Sequence, residues 1–185
     1  MGFDTHPHDN MEIITIPFEG DLWHKDSMGN SSTINHGEIQ VMSAGSGIQH
    51  SEFNKNTVTD LTLFQIWIFP NTKNVTPRYQ QISIKDIQKE NELFQILSPN
   101  ANDTGVWIYQ NAWMHMGNLE ANQSFMYSMH SAKQGVYAII ISGDAVIGGN
   151  ELHTRDAIGI WETENFEIET KSKTSILLIE VPMIF

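Results

Sequence analysis

Two short histidine motifs are the residues of this sequence whose types and spacing best suit chemistry. His6-Pro7-His8 lies near the start of the chain, and His50-Ser51-Glu52 lies further along. Successive side chains of a β-strand point to opposite faces, so the outer members of each motif share a face if the segment is extended. Two such strands side by side would offer three imidazoles and one carboxylate. That set suits iron, manganese, nickel, copper or zinc with open coordination positions, where an enolate or dioxygen can bind or water can be activated.

The identity of the carboxylate stays open from the spacing alone. Glu12 lies at an even spacing from His8 and would share its face in a straight strand, so it competes with Glu52 for the role. A lone histidine pair of this kind more often has a surface or packing role. With the second motif present, a metal site and a purely structural role are both open at this point.

The glycine-rich turn and the remaining histidines predict no further site. Ala44-Gly45-Ser46-Gly47 lacks the Gly-Lys-Ser/Thr ending and the following helix of a phosphate loop, so we interpret it as a tight turn that brings His50 to the site. Five isolated histidines are interpreted as surface or hydrogen-bonded interior residues: His24, His36, His115, His130 and His153.

Short apolar runs separated by turn residues predict an all-β protein of the sandwich or barrel type. A helical turn or two is expected only at Ile84–Asn91, and the polar segment Ser98–Gly105 predicts a boundary between domains 1–100 and 106–185. Faint internal symmetry suggests two copies of one barrel. The segments predicted as strands are Met11–Phe18, Trp23–Asp26, Ser32–Asn35, Ile39–Ser43, Leu61–Phe69, Val106–Gln110, Phe125–His130, Val136–Ser142, Ala145–Ile147, Ala157–Trp161, Phe166–Thr170 and Ser175–Val181.

Composition excludes several classes of function. The chain has 185 residues, 40% of them hydrophobic, and a formal net charge of −12 with only ten lysines and arginines, so clustered phosphate contacts to DNA or RNA are not expected. No apolar run is long enough to span a membrane, and the first residues do not resemble a signal peptide. Cysteine is absent, which removes thiolate ligands and nucleophiles. We therefore expect a cytoplasmic protein that binds neither nucleic acid directly nor membranes.

Several motifs together resemble the pirin family over about residues 3–80, and more loosely over the rest, at Leu97-Ser98-Pro99 and Gly159-Ile160-Trp161. The resemblance rests on His6-Pro7-His8 with Glu12; on Glu19-Gly20 with His24, Asp26-Ser27 and Gly29-Asn30; on Gln40, Met42, Ala44-Gly45, Gly47-Ile48 and His50-Ser51-Glu52; and on Gln65-Ile66-Trp67-Ile68 with Thr76-Pro77-Arg78-Tyr79.

The resemblance implies a bicupin, two antiparallel β-barrels of the double-stranded β-helix or jelly-roll type packed together. One divalent transition metal would lie in the N-terminal barrel, with Fe(II) expected ahead of Mn, Ni, Co, Cu or Zn, and the C-terminal barrel would hold none. The implied ligands are His6, His8, His50 and Glu52, which leaves Glu12 beside the site. Family members carry some tens of residues before the first histidine motif, so we expect either a truncated chain or another segment that closes the first barrel.

Bacterial pirins similar to this chain can act as quercetin 2,3-dioxygenases, so the resemblance implies an enzyme that takes a small flavonol-like aromatic substrate and O2. Glu52 would act as the base for the flavonol 3-hydroxyl, and the heterocycle would open with release of CO. The alternative is a redox- or metal-sensing regulatory protein that binds a transcription factor or a metabolic enzyme. A metal-binding barrel without activity is the third interpretation.

Overall fold

The computed structural model of the chain describes residues 1–183 and consists almost entirely of antiparallel β-strands, which confirms the predicted all-β class. Within this range the 3₁₀ turn Ile84–Asp86 is the sole helical element. The strands are β1 (Gly2–His8), β2 (Glu12–Glu19), β3 (Leu22–Asp26), β4 (Ser31–Ile34), β5 (Glu38–Ser43), β6 (Ile48–Asn54), β7 (Thr62–Ile68), β8 (Arg78–Ser83), β9 (Leu93–Ser98), β10 (Val106–Trp107), β11 (Trp113–Leu119), β12 (Ser124–Ser128), β13 (Gln134–Ser142), β14 (Ala145–Ile147), β15 (Asn150–Leu152), β16 (Ala157–Trp161), β17 (Asn165–Thr170) and β18 (Thr174–Pro182).

The chain divides into two compact units that interleave in sequence. Unit 1 comprises Met1–Ile87 and Pro99–Gln110, and unit 2 comprises Gln88–Ser98 and the residues from Asn111 onward. The interleaved stretch includes the polar segment in which the sequence predicts a domain boundary. Neither unit contains a helix with the length and apolarity that a membrane span requires, as far as residues 1–183 show.

Unit 1 contains two four-stranded antiparallel sheets. The first has the strand order β1-β6-β3-β4 and carries both histidine motifs, and the second has the order β7-β2-β5-β8. Ile48 of the first sheet packs with Ile13 and Met42 of the second and with Ala44, so a common apolar core joins the sheets. This core holds the strands that carry the candidate ligands.

β2 illustrates how the sequence specifies the second sheet. Its sequence EIITIPFE is rich in β-branched residues, which favour strands, and its first six residues are all buried. A strand covered on both faces reads as a continuous apolar run rather than an alternating one. Pro17 lacks a backbone N–H, but β2 pairs with β5 only as far as Thr15, so β5 requires no donor there.

The turn between β5 and β6 depends on glycine at position 45. Gly45 has a φ of +50°, and a Cβ added there would lie 2.0 Å from the carbonyl oxygen of Val75. The same close approach lets the Ser46 N–H donate to that oxygen over 2.9 Å. The interpretation as a tight turn leading into β6 therefore has a specific steric basis.

We expect Gly45→Ala to lower the free energy of unfolding by more than the about 1–2 kcal/mol that a left-handed backbone conformation costs an L-residue, because the backbone at Val75 must also move. Gly148→Ala is the matched control, since Gly148 has a similar φ of +55° but nothing within 4 Å of an added Cβ. Urea denaturation of both variants measures the difference. Equal losses would contradict a role for the contact with Val75.

Unit 2 has its own pair of antiparallel arrays, β9-β11-β18-β13-β16 and β12-β17-β14-β15. Its apolar core includes Ile140, Ile168 and Leu178. Four residues beside that core form a polar network. Glu180 is fully buried and accepts hydrogen bonds from the Tyr127 hydroxyl over 2.7 Å and from the backbone N–H of His130 over 2.7 Å.

His115 and His130 both belong to this network in unit 2. His130 Nδ1 lies 2.9 Å from Glu180 Oε2, and His115 Nδ1 lies 3.1 Å from the Tyr127 hydroxyl oxygen. Burial and the neighbouring His130 lower the pKa of His115 to about 4. Both histidines are therefore hydrogen-bonded interior or part-buried residues, as the sequence predicts.

Candidate metal centre

β6 is the central strand of the candidate centre, and its pairing with β1 joins the two histidine motifs. His6 lies directly opposite His50 in the antiparallel register, and His8 follows two residues later on the same face. The ring centroids of His6 and His50 are 4.4 Å apart, and that of His8 is 5.0 Å from His50. A nitrogen of each ring lies within 4.8 Å of the other two, so these three residues form a first group of candidate ligands.

On its other side β6 pairs with β3, which adds a second group. His24 lies opposite Glu52 in this register. Ligand atoms of His24, His50 and Glu52 all lie within 4.8 Å of one another, and the exposed fractions of these residues are only 1%, 2% and 3%. The two groups share His50, and Glu52 belongs to the second group rather than the first.

Glu52 is held by a side chain from the other sheet of unit 1. Gln65 Nε2 on β7 donates to Glu52 Oε2 over 2.8 Å, and Trp67 Nε1 donates to Gln65 Oε1 over 3.2 Å. Burial raises the pKa of Glu52, and the hydrogen bond from Gln65 opposes that shift. The carboxyl group is thereby oriented through one oxygen, while its Oε1 remains open to another partner.

His24 is oriented by Asp26, whose own position is fixed by the turn that follows β3. Asp26 Oδ1 accepts the backbone N–H groups of Met28 and Asn30, and its Oδ2 accepts Asn30 Nδ2 over 2.7 Å. Although burial opposes ionisation, the bonds from Asn30 and His24 lower the pKa of Asp26. His24 Nε2 lies 3.3 Å from Asp26 Oδ2. Since an ionised carboxylate only accepts, we assign the proton to Nε2 of His24.

Glu12, the competing carboxylate, lies in the second sheet of unit 1 and belongs to neither group of candidate ligands. Ser43 Oγ donates to Glu12 Oε2 over 2.7 Å, and the residue is fully buried. Burial raises its pKa, and the bond from Ser43 together with the charge of Arg78 lowers it again. Glu12 is thus buried and hydrogen-bonded within the second sheet of unit 1, separately from the two groups of candidate ligands.

The residues of the two groups fit a divalent metal because several of their buried polar atoms make no hydrogen bond within residues 1–183. Buried polar groups normally make hydrogen bonds. Within residues 1–183, however, five ligand-capable atoms around β6 make none: His8 Nε2, His24 Nδ1, His50 Nδ1, His50 Nε2 and Glu52 Oε1. Nitrogen and carboxylate oxygen together form a donor set that transition metals accept.

The electrostatics of the histidines favour their neutral, ligand-competent form. Burial, followed by the neighbouring His6 and His24, lowers the pKa of His50 to about 3. Burial and His6 also lower the pKa of His8. His6 donates its Nδ1–H to the carbonyl oxygen of Asp4 over 2.8 Å, which leaves the lone pair on its Nε2. Neutral imidazoles are the form in which histidine binds metals.

Polar side chains also line the opposite sheet of unit 1. Thr15 lies opposite Gln65 on one side and opposite Gln40 on the other, so the three share the face that Gln65 presents to Glu52. Thr15 Oγ1 and Gln40 Nε2 are buried and have no hydrogen-bond partner within residues 1–183. A separate cleft of about 480 Å³ adjoins His8, and Glu52, Thr15, Gln40 and Gln65 are not among its lining residues.

Comparison with known proteins agrees with this geometry. Residues 1–68 match the family model described as Pirin, and residues 95–181 match the Quercetinase C-terminal cupin domain. A quercetin 2,3-dioxygenase from Escherichia coli (strain K12) is 36% identical over 182 residues, which cover 98% of this chain and 77% of that protein. The chain belongs to the pirin family. Another pirin relative is the pirin-like protein from Caulobacter vibrioides, 30% identical over 97% of this chain and 77% of its own length.

Solved pirin structures support the same assignment. A bacterial pirin from Escherichia coli, crystallised in complex with nickel(II), superposes with a TM-score of 0.92 at 34% identity, covering 99% of this chain and 77% of that one. The predicted bicupin class is thereby confirmed. A related pirin therefore holds a metal ion.

The structure brings the predicted residues of this pirin together only in part. His6, His8 and His50 form one group, and Glu52 joins His50 in the other. His24 belongs to the second group but was missed as a candidate ligand, because its sequence context predicts a surface or hydrogen-bonded interior histidine. The signal was present, because His24 and Asp26 have the same i, i+2 spacing as the two motifs, but nothing local shows that β3 pairs with β6.

We expect Gln65→Ala to weaken metal binding by about 10–100-fold, the usual cost of losing a residue that orients a ligand, because Glu52 loses the donor that holds Oε2. Trp67→Phe removes the N–H that steadies Gln65 and also reduces the ring whose centroid lies 5.0 Å from that of His8, but it leaves the Gln65 donor in place and should have a smaller effect. Competition of each variant with a metal-sensitive dye measures the affinities. Unchanged affinity in Gln65→Ala would show that Gln65 does not hold Glu52 in its binding position.

Proposed function

We propose that this chain is a metal-dependent dioxygenase resembling quercetin 2,3-dioxygenase, which takes a flavonol-like substrate and O2. The observation that carries the proposal is the cluster of three imidazoles with an adjacent buried carboxyl on β6. The name of the Escherichia coli relative, at 36% identity over most of both chains, supports the reaction class. In this proposal unit 1 forms the metal-binding cupin barrel, and unit 2 forms a cupin barrel without metal.

His6, His8, His50 and Glu52 are the proposed ligands of one divalent ion, for which we propose Fe(II). When bound, the ion would supply Lewis acidity toward the substrate's enolate and redox chemistry with O2. His6 is oriented for this role by its bond to Asp4, and Glu52 by its bond to Gln65. These bonds fix the ring and the carboxyl before an ion arrives, which limits the reorganisation that binding requires.

Glu52 is the proposed base. The flavonol 3-hydroxyl must lose its proton before the ring can be oxidised, and Glu52 Oε1 has no hydrogen-bond partner within residues 1–183, so it can accept that proton. Burial raises the pKa of Glu52, which makes the carboxylate a stronger base than one in water. Gln65 keeps the other oxygen in place during the transfer. The heterocycle then opens with O2 and releases CO.

In this proposal two polar side chains, those of Thr15 and Gln40, which share a face with Gln65, hold the hydroxylated aromatic. Thr15 Oγ1 can donate or accept, and Gln40 Nε2 can donate, and neither makes a hydrogen bond within residues 1–183. A flavonol carries several hydroxyl groups that suit such partners. The site therefore combines a proton acceptor with contacts that can orient a polyhydroxylated ring system.

Metal analysis and an aerobic quercetin assay test the proposal together. We expect the purified chain to contain about one equivalent of a divalent transition metal, since each set of candidate ligands includes His50. Quercetin absorbance should fall in air with release of CO, and both should stop when a chelator removes the metal. Metal bound without consumption of quercetin or related flavonols would contradict the dioxygenase and favour a redox- or metal-sensing regulatory protein.

A further inference from the structure

His24 and Asp26 form a pair that the proposed reaction does not use. Both are buried, with exposed fractions of 1% and 6%, and they project from β3 beside β6. Met28 and Asn30 donate three hydrogen bonds to the Asp26 carboxylate, and these bonds restrict its movement. The pair is therefore a rigid feature next to Glu52 rather than a mobile surface contact.

One ring nitrogen of His24 makes no hydrogen bond within residues 1–183, which indicates that it binds a ligand. His24 Nε2 donates to Asp26, so the lone pair of the ring lies on Nδ1, and this buried atom makes no hydrogen bond within residues 1–183. A histidine whose far nitrogen donates to a carboxylate is the arrangement that orients metal-binding imidazoles. A ligand atom of His24 lies within 4.8 Å of those of His50 and Glu52.

We propose that His24 is an additional metal ligand, which with His50 and Glu52 forms an inner position for the ion beside the outer position formed by His6, His8 and His50. This inference rests on the metal centre proposed above. A neutral imidazole has one lone pair and His50 belongs to both groups, so one ion occupies one position at a time. The four ligands proposed above are therefore divided between the two positions: Glu52 is a ligand in the inner position and is free to accept a proton when the ion is in the outer position.

Cobalt(II) titration of four full-length chains tests the inner position: the unaltered protein, His6→Ala, His24→Ala and the double variant. We expect His6→Ala to retain cobalt with about 10–100-fold weaker affinity and a changed visible spectrum, because the inner group remains complete. The double variant should lose binding altogether. The effect of His24→Ala should therefore be much larger in the His6→Ala background than in the unaltered chain.

Two further variants separate ligation from a structural role of His24. Asp26→Asn keeps the shape of the side chain but removes its charge, and in the His6→Ala background it should weaken cobalt binding further. Tyr79→Phe is the control, because the Tyr79 ring lies 5.2 Å from that of His24 but belongs to neither ligand group. Circular dichroism and thermal midpoints establish that each variant is folded.

The outcomes distinguish the two proposals. If His6→Ala loses cobalt as completely as His50→Ala does, the inner position is wrong while the metal centre stands. An equal effect of His24→Ala in both backgrounds also overturns the inner position. If the unaltered chain binds no cobalt, nickel or iron, the metal centre itself is wrong and the inner position falls with it.

Discussion

His50→Ala is expected to remove bound metal and dioxygenase activity together. His50 is the residue shared by both groups of candidate ligands, so neither group keeps three members without it. Loss of a residue that merely orients a ligand costs about 10–100-fold in affinity, so loss of this ligand should cost more. Two measurements on the same dialysed sample test this: elemental mass spectrometry gives the metal content, and the rate of quercetin consumption gives the activity.

His36→Ala is the matched control for this experiment. His36 is exposed in the turn between β4 and β5, and its hydrogen bond to Asp21 uses the backbone N–H, which alanine retains. We expect it to keep both metal and activity. A folded His50→Ala protein that still holds one equivalent of metal would reject the centre as described.

Glu52→Gln is expected to bind metal more weakly and, once added metal restores its metal content, to lower the rate of flavonol oxidation by about 10²–10⁴-fold, the usual contribution of a positioned base. The amide retains the size of the side chain and leaves the three imidazoles of His6, His8 and His50 in place. Its neutral oxygen cannot take the proton of the 3-hydroxyl. Steady-state kinetics with quercetin at saturating O2, normalised to metal content, measure the effect.

Glu12→Gln separates the two carboxyl groups that the sequence leaves in competition. Glu12 belongs to neither ligand group, and it bonds to Ser43 within the second sheet of unit 1. We expect the folded Glu12→Gln protein to keep its rate per bound metal. A full rate in Glu52→Gln, or a rate loss of similar size in Glu12→Gln, would contradict the assignment of Glu52 as the base.

The candidate site could be predicted from sequence where its geometry is local. The alternation of strand side chains places His6 beside His8 and His50 beside Glu52, whatever the fold around them. Whether β1 and β3 both pair with β6 is a matter of long-range register, which no short motif encodes. That is why the sequence offered His24 no role, although it lies opposite Glu52.

The strands of the fold likewise divide into those that their own sequence predicts and those that depend on residues remote in sequence. Leu61–Phe69 is strongly apolar, and β7 matches it to within one residue at each end. β8 was missed because Arg78–Ser83 is mostly polar, and β5, the strand whose backbone it pairs with, is remote in sequence. The expected helix at Ile84–Asn91 shrinks to Ile84–Asp86, whose N-cap residue Ser83 makes no capping hydrogen bond.

The place of β1 at one end of its sheet links metal binding to local unfolding. An outer strand opens more readily than the strands it covers, and residues Gly2 to Thr5 are exposed. Two proposed ligands lie on β1 and the other two lie on β6, so a bound ion would link the two strands. An ion that binds only while β1 is paired with β6 lowers the population of the form in which β1 has detached. The metal would then determine how often the N-terminal strand detaches, and through it how long the chain resists proteases.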